Sequence, residues 1–169
     1  MEGQYPLSMN IREARESDFG DVAEITNHYI MHTPIHFGYE PVVAEELREA
    51  WRAGITRYPY LILEVDGAIA GYAKSGSWRT RKAYERTSEV GIYLRPTFTG
   101  RGLGKPLYAA LIQACRAEGH HSLIGGVAVP NAASVRLHES LGFVHVGTFR
   151  EAGWKFEQWH DAAFYQLML

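Results

Sequence analysis

A chain of 169 residues with 46% hydrophobic side chains and a formal net charge of −2 can bury one core of ordinary size and has no bulk attraction for nucleic acid or an anionic membrane. Its single cysteine excludes an intrachain disulfide, no apolar run is long enough to span a bilayer, and Met1 to Ser8 lacks the basic and apolar stretches of a secretion signal. The expectation is therefore one domain over residues 1–169 in the cytoplasm, with residues 1–8 an extension ahead of a second methionine, Met9.

A first strand is expected near Ile11-Arg-Glu-Ala14, followed by a helix capped by Ser17 or Asp18 whose Val22, Ile25, Tyr29 and Ile30 share a face. A second helix covers Val43 to Ala53. Tyr60 to Val65 and Ile69 to Lys74 read as a hairpin, because Asp66-Gly67 between them accepts positive φ at low cost. A central alternating strand, Glu89-Val-Gly-Ile-Tyr-Leu94, then runs into a glycine-basic turn and a helix on which Leu107, Tyr108, Leu111, Ile112 and Cys115 align. A buried strand at Leu123 to Val129, a short helix from Asn131 to Gly142, and strands near Phe143 to Arg150 and Phe164 to Leu167 complete a mixed α/β order. On that helix face Cys115 is a core thiol.

The turn Thr99-Gly-Arg-Gly-Leu-Gly-Lys-Pro106 has the layout of a phosphate cradle. Backbone N–H groups at a helix start attract anionic oxygens, and Gly100, Gly102 and Gly104 let the chain approach a ligand without a Cβ in the way. Arg101 and Lys105 add positive charge, and Pro106 fits a first turn that needs no N–H. A Walker A loop would need glycine at 99 and Ser or Thr at 106, where Thr99 and Pro106 stand; a dinucleotide fingerprint would need glycine at 105 or 107, where Lys105 and Leu107 stand.

The segment Val129-Pro-Asn-Ala-Ala-Ser-Val-Arg-Leu-His-Glu-Ser-Leu-Gly-Phe143 resembles the second acetyl-CoA-binding motif of the GNAT acetyltransferase superfamily, and Thr99 to Gly104 resembles the first. Asn27-His-Tyr-Ile30, Trp78-Arg-Thr-Arg-Lys-Ala-Tyr84 and Trp159-His-Asp161 are similar to the phosphinothricin and methionine sulfone acetyltransferase branch, and the likeness runs from Asn10 onward. It departs at Thr99, where the family has Gln or Arg. The resemblance implies the GNAT fold, a mixed sheet with splayed central strands flanked by helices, with acetyl-CoA as cosubstrate, no metal, and a homodimer.

Acetyl transfer to an ammonium needs a base, and by resemblance Glu89 is that base; without the resemblance it reads as a solvent-facing carboxylate or a partner of Arg86. The backbone N–H of Ile92 or Tyr93 can meet the developing oxyanion if the strand splays or bulges at Gly91, and the resemblance pairs Tyr93 and Leu94 with the pantetheine arm. His138 stands where relatives carry the acid for the departing thiolate, with a buried helix histidine as the plain alternative. Asn131, a natural helix cap, and Ser134 are expected at the cofactor, together with Thr99, Gly100, Arg101, Gly102, Leu103, Gly104 and Lys105. By resemblance, substrate contacts fall to Arg79, Arg81 and Tyr84, with Phe37 and Tyr29 walling the pocket; a guanidinium grips a carboxylate or phosphinate through two hydrogen bonds, while a solvated run of charges and core packing of the two rings are the plain alternatives. The expected reaction is N-acetylation of a small amino-acid-like α-amine such as methionine sulfone, methionine sulfoximine or phosphinothricin. Another amine acceptor, or acyl-CoA sensing without turnover, is the alternative.

Overall fold

The computed structural model describes residues 8–169, so the extension expected over residues 1–8 lies outside the described residues except for Ser8. The N–H of Ser8 donates to Asp66 Oδ1 at 2.9 Å, and its carbonyl accepts from the N–H of Asp66 at 2.9 Å.

Seven strands form one sheet in the order β1-β2-β3-β4-β5-β7-β6. They are β1 (Met9–Glu13), β2 (Tyr60–Val65), β3 (Ala68–Ser77), β4 (Thr87–Leu94), β5 (Ser122–Val129), β6 (Val144–Lys155) and β7 (Gln158–Met168), with helices α1 (Phe19–His32), α2 (Ala44–Gly54), α3 (Gly104–Ala117) and α4 (Ala132–Ser140). Only β4 and β5 pair in parallel, joined through α3; the other neighbours are antiparallel. The turn at Asp66 and Gly67 has φ of 50° and 81°, the positive pair expected of a tight hairpin.

The sheet separates two cores. On one face Leu107, Tyr108, Leu111, Ile112 and Cys115 of α3 are all buried, as their spacing predicts, against Leu61, Leu63, Ala73 and Val90. Burial pushes the Cys115 thiol up to about 11, so it stays protonated and inert as an acyl carrier at neutral pH. On the other face Phe19, Val22 and Ile25 of α1 pack on Ile62 and Tyr72, with Trp51 of α2 against the Phe19 ring at 5.2 Å.

Asp18 is not the side-chain cap expected for α1. Its buried carboxylate instead accepts from both terminal nitrogens of Arg12, each at 2.8 Å, and from the N–H of Arg15 at 2.7 Å. A guanidinium offers two parallel charged donors, which outcompete one helix N–H. The closing hairpin is also longer than expected: β6 extends to Lys155 and β7 begins at Gln158, turning at Phe156 and Glu157 with φ of 52° and 58°.

The parallel pairing of β4 with β5 runs from Thr87–Ser122 to Val90–Gly125 and stops there. Beyond it β4 stays in register with β3 as far as Gly71–Leu94, while β5 stays with β7 as far as Val129–Asp161. The sheet therefore opens into a V between Gly91–Leu94 and Gly126–Val129. It is a splay; the β3–β4 ladder carries no bulge at Gly91.

Candidate active site

Three cavities meet at this V. The largest, about 510 Å³, lies outside the end of β4 between the glycine turn and α4. From the expected cofactor set, Ile92, Tyr93 and Leu94 of β4, Thr99, Gly100, Gly102, Gly104 and Lys105 of the turn, and Asn131 and Ser134 at the start of α4 all line it. Gly100 and Gly102 have φ of +73° and +75°, where an L side chain is strained. Leu103 is buried in the core and offers a ligand only its backbone. The Arg101 guanidinium rests 5.2 Å from the Phe98 ring centre, outside the lining, and the Thr99 hydroxyl donates to Pro96 O at 2.8 Å. Asn131 Oδ1 accepts from Ser134 N–H at 3.1 Å, so the expected helix cap is formed. The cradle therefore suits an anionic, extended ligand through backbone N–H groups and Lys105.

A narrow cavity of about 50 Å³ fills the V and shares Ile35, Ile92, Tyr93, Asn131 and Ser134 with the large cleft. His138 and Tyr108 close its inner side. The His138 ring is buried and packs on Gly125, the last residue of β5 to pair with β4. Its Nδ1 lies 2.8 Å from Ser134 O and its Nε2 3.1 Å from Tyr108 Oη. A carbonyl only accepts, so Nδ1 carries the proton and Nε2 accepts the Tyr108 hydroxyl. Burial, opposed by the bond to Ser134, lowers the His138 pKa, and the imidazole is neutral where its free value would allow either state.

A third cavity, about 310 Å³, lies on the other side of the V and shares Val90, Gly91, Tyr93 and Gly126 with the narrow one. Glu89 opens into it beside Lys74. Although Glu89 meets solvent on one side, burial by the surrounding sheet raises its carboxyl above the usual range, against the pull of Lys74 and Arg79. No ion pair joins Glu89 to Arg86 among the described residues. Burial pushes the Tyr93 phenol up to about 12, so it stays protonated. Tyr93 is also a packing aromatic, with Tyr72 and Tyr29 rings at 5.5 and 5.2 Å.

The family model described as an acetyltransferase (GNAT) domain matches residues 11–164. The phosphinothricin N-acetyltransferase of Streptomyces viridochromogenes is 39% identical over 94% of this chain and 86% of its own length. The chain belongs to the GNAT acetyltransferases. The L-methionine sulfoximine/L-methionine sulfone acetyltransferase of Salmonella typhimurium is 37% identical over 95% of both chains. A Salmonella typhimurium acetyltransferase solved with its cofactor acetyl-CoA superposes with a TM-score of 0.92 at 36% identity, covering 95% of this chain and 94% of that one.

Within this GNAT site the expected substrate residues fall unevenly. Tyr29 lines the large cleft rather than the Glu89 cavity, and its hydroxyl donates to Leu94 O at 2.6 Å, pinning the free end of β4. Phe37 stands over Gly153 of β6, where a Cβ would come within 2.6 Å of its ring, and lines none of the three cavities. Arg79 lies 5.0 Å from the Trp78 ring centre, and its charge reaches Glu89. Arg81 and Tyr84 are exposed on the turn between β3 and β4, outside all three cavities. Sequence reasoning missed Ala133, Arg136, Leu137 and Ser140, which line the large cleft from α4 at spacings of three, four and seven, and it missed Lys74. The helical stripe was a readable signal; so was a lysine inside the apolar strand Ile69-Ala-Gly-Tyr-Ala-Lys74.

Among the described residues no group of three or more His, Cys, Asp or Glu side chains is placed to hold a metal ion, and no helix is long and apolar enough to cross a membrane.

Proposed function

We propose that this GNAT protein acetylates the α-amine of a small amino-acid-like substrate, such as methionine sulfone, methionine sulfoximine or phosphinothricin, by direct attack in a ternary complex. The observation that carries this reading is the continuous path of three cavities through the splayed sheet, with the phosphate cradle at one end and Glu89 at the other. Acetyl-CoA supplies an activated thioester. Gly100, Gly102, Gly104 and Lys105 hold its phosphates, Asn131 and Ser134 its arm, and the unpaired edge of β4 offers the N–H of Ile92 where negative charge develops, since Arg95 N–H donates to Ala70 O and the alternation turns Tyr93 N–H toward β3 as well.

Glu89 takes the proton from the acceptor ammonium, directly or through water, and its raised pKa brings it nearer to the amine in basicity. His138 and Tyr108, which share a hydroxyl proton at the narrow cavity, stand beside the departing thiolate. Arg79, whose charge reaches Glu89, is assigned to the oxygens of the substrate side chain. These roles suit the relatives' named substrates, whose tetrahedral sulfur or phosphorus bears oxygen.

The proposal extends to a cytoplasmic homodimer. Val144, Val146 and Phe149 of edge strand β6 are 67%, 55% and 66% exposed, and a second copy covering them would bury that apolar strip. Sedimentation at micromolar concentration checks this, a dimer supporting it and a monomer opposing it.

Thiol release from acetyl-CoA across a panel of methionine sulfone, phosphinothricin, ordinary amino acids and polyamines tests the reaction. Fast turnover on the sulfone or phosphinothricin supports the reading. Turnover only on polyamines, or tight acetyl-CoA binding with no turnover on any member, overturns it.

A further inference from the structure

We propose that Lys74 is the anchor for the acceptor's α-carboxylate, so that the Lys74–Glu89 pair recognises the zwitterionic head of a free α-amino acid and sets the amine at the mouth of the V. This rests on the acetyl-transfer reading above and deepens it.

The β3–β4 register places Lys74 opposite Gly91 and Gly76 opposite Glu89. Directly opposed residues share a face of the sheet, and so do residues two apart along one strand. Lys74 and Glu89 are therefore diagonal neighbours on one face, about 7–8 Å apart at the backbone. The other two corners of that square are glycines. A Cβ at Gly76 would meet nothing within 4 Å, and one at Gly91 only the Tyr93 ring at 3.7 Å, so the floor between the two charges is bare.

Lys74 is unusual in what it does not touch. Among the described residues its ammonium makes no hydrogen bond or ion pair, although its stem lies in the sheet interior and burial lowers its pKa, against the nearby charge of Glu89. None of the described fully buried polar side-chain atoms lacks a partner, so the Lys74 nitrogen is open to solvent, and Lys74 lines both the Glu89 cavity and a neighbouring one walled by Trp51 and Tyr60. Lys155 shows the alternative: its three N–H bonds go to the carbonyls of Ile30, Thr33 and His36, at 2.5, 3.0 and 2.6 Å, and close the end of α1. Lys74 keeps its donors.

A free amino acid carries an ammonium and a carboxylate on one carbon, the mirror of a carboxylate and an ammonium set across a bare floor. A carboxylate at Lys74 gives its ammonium a direct partner that the fold does not supply, and the amine then faces Glu89. A polyamine or a peptide amide has no anion for this corner. Arg79, nearer the rim, remains for the oxygens of the side chain.

The test is steady-state kinetics of wild type, Lys74→Met and Lys74→Arg on L-methionine sulfone and on its α-carboxamide. Loss of one charge-assisted hydrogen bond predicts a KM for the free acid raised roughly 10- to 100-fold in Lys74→Met, with the carboxamide changed by less than about twofold. Lys74→Arg retains most of the preference for the acid. An unchanged KM for acetyl-CoA and an unchanged melting midpoint identify the loss as one of acceptor recognition. Equal losses on acid and amide, or an undiminished preference for the acid in Lys74→Met, overturn the assignment while leaving acetyl transfer to amino acids standing. Wild type that turns over other amines and neither of these compounds overturns both.

Discussion

Gly125→Ala probes the one place where the splay, His138 and the core depend on the same atom. A Cβ there would stand 2.7 Å from His138 Cδ2, closer still to Nε2, and 3.5 Å from Tyr108 Oη. The imidazole cannot retreat easily: its Nδ1 is tied to Ser134 O at 2.8 Å, and the Phe143 and Tyr165 rings lie at 5.1 and 5.5 Å. Overpacking of a tight core by one methyl costs about 1–3 kcal/mol. Displacing Nε2 also breaks the bond from Tyr108, which adds about 1 kcal/mol. The sum, about 2–4 kcal/mol, corresponds to a melting midpoint lower by roughly 4–16 °C for a domain of this size. Thermal unfolding followed by circular dichroism measures it, with Gly76→Ala as the comparison, since nothing lies within 4 Å of a Cβ there. A Gly125→Ala midpoint within about 1 °C of wild type would refute the packing argument; it would mean that the ring moves freely and that His138 is not fixed at the V.

Two further outcomes follow from the same geometry. Gly102→Ala places an L residue at φ +75° in the cradle, a strain of about 1–2 kcal/mol; the melting midpoint falls and the KM for acetyl-CoA rises, while wild-type values of both would remove Gly102 from the cradle. Arg12→Leu leaves the carboxylate of Asp18 buried without its partner, costing about 3–5 kcal/mol in urea unfolding at neutral pH. Burial alone would raise the Asp18 carboxyl, but the Arg12 bonds, the Arg15 N–H and their charges outweigh it and hold it below its ordinary value. That contribution is complete above the unfolded value of about 3.9 and is lost as pH falls through the lower folded one, so acid unfolding is shallower in Arg12→Leu. An equally steep acid transition in the variant would assign the loss to other carboxylates.

Where the sequence was most legible, one local rule decided the outcome. Helical spacing identified the whole buried face of α3, Asp66-Gly67 announced its hairpin, and Asn131 its cap, because each signal acts within a few residues. The turn at Phe156 and Glu157 takes positive φ without glycine or asparagine, so no residue there advertised it. The α1 cap failed for a reason several residues away, the Arg12 guanidinium in β1. At the site, the cradle and the Glu89 strand were readable from the motif, while the substrate side was less so. Lys74 joins Glu89 only through the antiparallel register of β3 and β4, and Arg81 and Tyr84, chosen by likeness, sit on an exposed turn.

The most direct measurement is kcat/KM against pH for wild type and Glu89→Gln on the best acceptor, with acetyl-CoA saturating. With Glu89 as the base, the variant loses on the order of 10²- to 10³-fold at neutral pH. The wild-type acid limb, set by a carboxyl held above its ordinary range, disappears with it. A variant with the wild-type rate and the wild-type limb would contradict the assignment of Glu89 and, with it, the reading of the three joined cavities as a path for amine attack.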